Sequence, residues 1–228
     1  MKSSFTKNNI CIYSLGRLQS VRCKNKMKKN FHNGSLSEII IKKLSKLNNY
    51  NNFFAGHESY FEKICNKYNV TFVKRTKKSA LSEGPNKDIH SFLFSLNYDY
   101  FLLINPCLPF LKLSTIKKFL NFCVNNQTSC SILTLKKNYF FNKKFVPVNF
   151  KKNIKTLNTK KVDGIYEFSN CMYFFNKNYF IKNNNYWNWN KNKYMVINDE
   201  LQMFDIDTET DFQVGKSISK YLKYNFYS

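Results

Sequence analysis

Tyr100 to Ile104, reading Tyr-Phe-Leu-Leu-Ile, is apolar throughout and stops at Asn105-Pro106-Cys107-Leu108-Pro109. A short apolar run without polar alternation reads as a strand buried on both faces, the kind found inside a mostly parallel sheet covered by helices. The break is as informative as the run. Proline withholds a backbone donor and ends strand pairing. Asn105 is thereby left at the strand's carboxyl end, the edge along which open α/β sheets hold their ligands.

The chain before and after this strand keeps the same rhythm. Ile10 to Ser14 predicts a first central strand. Ser35-Leu-Ser-Glu38 has the form of a capping box opening a helix, whose Ile39, Ile40, Ile41, Leu44 and Leu47 recur at helical spacing. Asn51 to Ala55 predicts a second strand, Glu58 to Tyr68 a helix burying Tyr60, Phe61 and Ile64, and Val70 to Val73 a third strand. Strand, helix, strand at this pace describes parallel βαβ units. Arg75 to Lys87 reads as a polar loop and Asp88 to Leu96 as a helix. Ser114 is expected to cap a helix ending near Val124, before a strand from Ser129 to Leu135.

From Lys136 the pattern dissolves into aromatic and basic residues around Pro147, and 136–168 is assigned to a small protruding arm, a hairpin able to pair with a second subunit. Tyr166 to Phe175 is strand-like, Asn176 to Ile181 a helical turn and Met195 to Ile197 a last strand. Thr208 to Tyr224 is a closing helix. Trp187 and Trp189 lie in an Asn-rich loop, where they either stack a base or anchor the loop to the core. The expectation is one α/β domain over 1–228, with a mostly parallel central sheet flanked by helices and the arm outside it.

A hydrophobic content of 43% and an aromatic content of 18% exclude disorder. The start of the chain is polar through Asn9, without the apolar segment of a secretory leader. The most apolar stretch, Tyr100 to Leu111, is too short for a membrane span. Seven cysteines, an odd number without a Cys-x-x-Cys, fit a reducing compartment, and three histidines offer no zinc site. These features predict a soluble cytoplasmic protein with no membrane partner. The net charge of +23 points to a polyanion. Its lysines are spread along the chain rather than gathered in one block, which favours a solvated surface and a small polyanionic substrate over nucleic acid.

Arginine occurs only at 17, 22 and 75, in a chain whose Lys and Arg together number 37. Under such a bias towards lysine, arginine persists where its planar fork of donors is needed, typically on paired phosphate or carboxylate oxygens. Arg17 and Arg22 share the loop after the first strand with Ser20 and Lys26, a cradle suited to a polyphosphate. Acid is concentrated too. Of 14 acidic residues, Asp205, Asp207, Glu209 and Asp211 stand almost together. Asp205 and Asp207 alternate with Phe204 and Ile206, so in extended backbone both carboxylates face one way. Two hard oxygen ligands so placed suit Mg²⁺, which completes its shell with phosphate and water. Thr208 with Asp211 reads as the cap of the last helix.

A phosphate cradle near one end and a Mg²⁺ pair near the other describe a nucleoside triphosphate site. No Gly-x-x-x-x-Gly-Lys-Ser/Thr loop and no kinase motif occurs. Nucleotidyl transfer with loss of pyrophosphate remains. On these residues the chain resembles the cytidylyltransferases that activate acidic sugars, notably the CMP-N-acylneuraminate synthetases. Arg17, Ser20, Arg22 and Lys26 match that family's first loop, and Asp205-Ile206-Asp207-Thr208 with Asp211-Phe212 matches its closing metal motif. Asn105-Pro106-Cys107-Leu108-Pro109 stands where the family has Gln-Pro-Thr-Ser-Pro. Leu15-Gly16 replaces its Pro-Ala, and Met27 stands where many members carry Asn.

The resemblance implies a Rossmann-like nucleotidyltransferase fold, a homodimer, and Mg²⁺-dependent transfer of CMP from CTP to the anomeric hydroxyl of an acidic sugar. It implies Arg17, Lys26 and Asp207 as catalytic residues, and Arg17, Ser20, Arg22, Lys26, Arg75, Ala80 and Ser82 as nucleotide-binding. Asn105, Asn170 and Tyr173 would bind the acceptor, and Asp205 and Asp207 the metal. His32, His57 and His90 are read as surface or packing residues. Three alternatives stay open: another sugar acid such as 3-deoxy-octulosonate, a basic nucleic-acid-binding protein, and an inactive relative.

Overall fold

The structure, a computed structural model, describes residues 7–227. Seven strands form one sheet there: β1 Ile10–Leu15, β2 Asn51–Gly56, β3 Thr71–Lys74, β4 Tyr100–Ile104, β5 Cys130–Lys136, β6 Ile165–Asn176 and β7 Lys193–Val196. Their order is β3-β2-β1-β4-β6-β5-β7. Pairings of β1 with β2 and β4, of β2 with β3 and of β5 with β7 are parallel, while β6 runs antiparallel to β4 and β5. The order reverses between β1 and β4, so their carboxyl ends splay apart and open a crevice between the following loops.

Helices cover both faces: α1 Leu36–Ser45, α2 Ser59–Lys67, α3 Lys77–Leu81, α4 Asn86–Ile89, α5 Leu113–Asn126, α6 Lys177–Asn183 and α7 Glu209–Tyr221. Successive strand residues go to opposite faces. Ile10, Ile12, Leu102 and Ile104 join one core with Ile41, Phe61, Phe119 and Phe212. Cys11, Tyr13, Phe101 and Leu103 join the other with Leu93, Phe175 and Phe180. Being buried on both faces is what made β1 and β4 readable as unbroken apolar runs. Ser35 caps α1 as expected, its hydroxyl accepting the Glu38 N–H at 3.2 Å.

The structure departs from expectation in four places. The loop expected from Arg75 to Lys87 winds into α3 and α4, because Arg75 turns inward and donates to the Ser79 and Ile89 carbonyls. The helix expected from Asp88 to Leu96 is instead α4 followed by a 3₁₀ turn at Ser91–Ser95, interrupted at the buried His90. Helix α5 starts at Leu113, one residue before the expected cap Ser114, and Lys112 in its N-cap position makes no side-chain cap but donates its N–H to Gln202 Oε1 at 3.1 Å. Within the span assigned to an arm, Lys136 and Ile165 to Phe168 belong to the β5–β6 ladder, so only 137–164 leaves the sheet. No helix among the described residues is long and apolar enough to cross a membrane.

Candidate active site

A cleft of about 870 Å³ lies at the carboxyl ends of β1 and β4. Every residue assigned a catalytic, nucleotide, acceptor or metal role from the sequence lines it: Arg17, Ser20, Arg22, Lys26, Arg75, Ala80, Ser82, Asn105, Asn170, Tyr173, Asp205 and Asp207.

The first loop leaves β1 through Gly16, whose N–H continues the sheet by bonding to the Ala55 carbonyl at 3.0 Å. A β-carbon at Gly16 would meet the Phe54 ring at 2.9 Å, which accounts for glycine here. Glu58, at the start of α2, accepts the Leu18 N–H at 2.9 Å and so fixes the loop's course. The loop's cations then reach the acidic segment. Arg22 Nη2 lies 3.0 Å from Asp207 Oδ1, and Lys26 Nζ lies 2.5 Å from the Ile206 carbonyl and 3.4 Å from Asp207 Oδ1. Burial alone would lower the Lys26 pKa, but Cys107, Asp207 and Asp205 together hold it above its usual value.

Asp205 and Asp207 are aimed at the cleft because Ile206 between them is fully buried, its N–H bonded to the Cys107 carbonyl at 2.9 Å. The following Thr208 caps α7, with Asp211 completing a reciprocal capping box. Burial, then the Asp207 charge, push the Asp205 carboxyl up to about 6 against the pull of Lys26 and Arg22. Its Oδ1 is buried without a hydrogen-bond partner. A buried carboxylate oxygen with an unused acceptor, two positions from a second carboxylate, fits a hard divalent cation. Among the described residues, no group of three or more His, Cys, Asp or Glu is arranged to hold a metal ion. Such a cation would therefore complete its shell from substrate oxygens and water.

Arg17 and Arg75 are placed differently from Arg22. Arg17 crosses the cleft to Glu83, with Nη2 2.7 Å from Oε1, and also donates to the Leu81 carbonyl at 3.3 Å. Arg75 is 3% exposed and spends Nε on the Ser79 hydroxyl and Nη2 on the Ser79 and Ile89 carbonyls. It holds the wall that carries Ala80 and Ser82. At the other end, Asn105 Nδ2 donates to the Asn170 carbonyl at 3.0 Å and lies 3.5 Å from Asp205 Oδ2, while Tyr173 donates to Asn170 Oδ1 at 2.6 Å.

Glu83, Cys107 and Tyr186, given no site role from the sequence, also line the cleft, as does His90, read from the sequence as a surface or packing residue. His90 shares a hydrogen bond of 3.0 Å with the Tyr13 hydroxyl, and burial, assisted by Arg75, pushes its pKa down to about 3. It is a neutral packing residue on the cleft floor. Tyr186 packs edge-on against Tyr173 at 4.8 Å, with Trp187 behind it at 4.9 Å. The tryptophans back the cleft wall without lining it. The Trp pair in an Asn-rich loop was the available signal, and its neighbour Tyr186 is the residue that reaches the cleft.

No protein-family model and no curated protein matches the sequence. Solved structures do match. A CMP-2-keto-3-deoxy-manno-octonic acid synthetase complexed with CTP aligns over 94% of this chain and 100% of its own, with a TM-score of 0.67 at 7% identity. The 4-diphosphocytidyl-2C-methyl-D-erythritol synthase of Anaerococcus prevotii aligns over 96% and 97%, with a TM-score of 0.65 at 15% identity. A cytidylyltransferase from Leptospira borgpetersenii aligns over 96% and 91%, with a TM-score of 0.59 at 12% identity. The chain shares their fold. The mostly parallel central sheet flanked by helices expected from the sequence is thus the observed architecture.

Proposed function

We propose that the chain transfers CMP from CTP to the anomeric hydroxyl of an acidic sugar, releasing pyrophosphate. The observation that carries this reading is the meeting of Arg22 and Lys26 with Asp207 in one cleft at the sheet's reversal point. Arg22 and Lys26 bind and orient the triphosphate, exchanging part of their contact with Asp207 for phosphate oxygens. Arg17 leaves Glu83 to offset charge on the departing pyrophosphate. Backbone groups around Ala80 and Ser82, held by Arg75, read the cytosine. Asn105, Asn170 and Tyr173 hold the acceptor with its hydroxyl towards the α-phosphorus. Asp205 and Asp207 would hold Mg²⁺, which when bound neutralises phosphate charge and lowers the pKa of the attacking hydroxyl.

Support for a cytidine nucleotide and a sugar acid comes from the fold shared with a synthetase solved with CTP, and from the matching first-loop and closing motifs. The arm supports a homodimer. Asn142 Oδ1 accepts the Lys144 and Val146 N–H groups and shapes a tight tip, on which Phe145 is 84% exposed in left-handed backbone. Leu157, 80% exposed, adds to the apolar surface that a second copy would cover. The test is to incubate purified protein with Mg²⁺, each nucleoside triphosphate in turn, and a panel of eight- and nine-carbon sugar acids. Pyrophosphate and a CMP-sugar, seen by mass spectrometry with CTP alone, are the expected products. Turnover indifferent to the base, or none with any sugar acid, overturns the reading.

A further inference from the structure

Lys43 stands on the buried side of α1 among Ile39, Ile40 and Leu44, and it is 1% exposed. Burying an ammonium is costly, and a shorter neutral donor would serve a lone carbonyl at lower cost. Burial pushes the Lys43 pKa down to about 7, against a smaller opposite effect of the Cys171 thiol. Its Nζ donates to the Pro109 carbonyl at 2.6 Å. Pro109 closes the turn whose opposite end is Asn105, and that turn is the junction of the cleft's two working parts. Asn105 is tied by its N–H to the Cys171 carbonyl at 2.9 Å, and its Oδ1 accepts the Cys107 N–H at 2.9 Å. The Cys107 carbonyl in turn accepts the Ile206 N–H, between the two cleft aspartates.

We propose that Lys43 is a positioning residue, pinning the Asn105–Pro109 turn from the far side of the core so that Asn105 and the Asp205–Asp207 segment keep their relative placement. The proposal rests on the function given above for its kinetic consequence, but its structural part stands on the geometry of the turn. Lys43 itself does not line the cleft. Its effect is transmitted through one carbonyl to a turn in which Pro106 and Pro109 lack N–H groups of their own to bond.

The test compares the whole chain with Lys43→Met, which keeps bulk and removes charge and donor, and with Lys43→Gln, which keeps a donor. Hydrogen–deuterium exchange needs no substrate. In Lys43→Met, amides of 105–111 and 205–207 are expected to exchange about tenfold faster, with β1 and β2 unchanged. With the sugar acid that the wild type turns over best, the acceptor KM is expected to rise about tenfold while the CTP KM stays within about twofold. Lys43→Gln recovers part of both. Unchanged exchange and kinetics in Lys43→Met overturn the proposal. So does a general loss, in which both KM values rise together and exchange accelerates throughout α1 and β4. Failure of both variants to fold assigns Lys43 to the fold alone and also overturns it. A wild type inactive on every sugar acid defeats the functional reading, while the exchange experiment still decides the role of Lys43.

Discussion

Asp207 is the residue on which the first loop and the closing segment converge, with Arg22 Nη2 at 3.0 Å and Lys26 Nζ at 3.4 Å. The Arg22 pair is solvent-exposed, so it adds about 1 kcal/mol or less to stability. Asp207→Ala is therefore expected to leave the thermal melt nearly unchanged while reducing CMP transfer by about a thousandfold. Circular dichroism and pyrophosphate release measured on one preparation check the pair of outcomes. His90 carries a pH effect of opposite kind. Its folded pKa, about 3, lies below its ordinary 6.5, so between those values the unfolded chain binds a proton that the folded chain refuses. Stability is then full above pH 6.5 and falls as the pH drops, by about 2 kcal/mol at pH 5. Urea unfolding at pH 7 and pH 5 should show that difference shrink by about this amount in His90→Gln, and an unchanged difference would contradict the assignment. At this scale the arginine bias and the alternating aspartates were legible because rare residue types stand out against a lysine-rich background. What Arg75 does was not. A guanidinium bound to carbonyls of its own wall has the same sequence signature as one offered to a phosphate.

Helix α7 places the aspartates by packing against the segment before it. A β-carbon on Gly215 would come within 2.9 Å of Ile206 Cδ1, 3.0 Å of Phe31 Cζ and 3.1 Å of Phe204 Cε1. Glycine costs about 1 kcal/mol relative to alanine inside a helix, but overpacking a filled core costs about 1–3 kcal/mol. The second effect wins here, since Ile206 and Phe31 are fully buried and have little room to yield. Gly215→Ala is expected to lower stability by about 1 kcal/mol and, by displacing Ile206, to reduce turnover about tenfold. A stabilised variant with normal turnover would show the contact to be loose. Strands and long helices were legible because their apolar spacing is set by burial on one or two faces. Helices α3 and α4 were not, being too short for a period to register and held by Arg75, a contact that local sequence does not reveal.

The whole molecule is a sheet whose strand order turns at β1 and β4, and the cleft is where that turn leaves space. The order of motifs along the chain foretold this, since a loop after an apolar strand and a polar residue after another both belong at carboxyl edges. The reversed β6 was not foretold, because an apolar strand reads alike in either direction. The segment 137–164 between β5 and β6 presents Phe145 and Leu157 to solvent. If a second copy covers them, the double substitution Phe145→Asp with Leu157→Asp yields a monomer in sedimentation equilibrium where the wild type is a dimer. Equal masses for the two proteins would remove the arm from the interface. Above all stands the claim that one triphosphate bridges the first loop and the two aspartates. A crystal structure with CTP and Mn²⁺ tests it most directly. The account predicts an anomalous peak on Asp205 and Asp207, with phosphate oxygens on Arg22 and Lys26; a nucleotide bound elsewhere, or with its phosphates turned away from both, would contradict it.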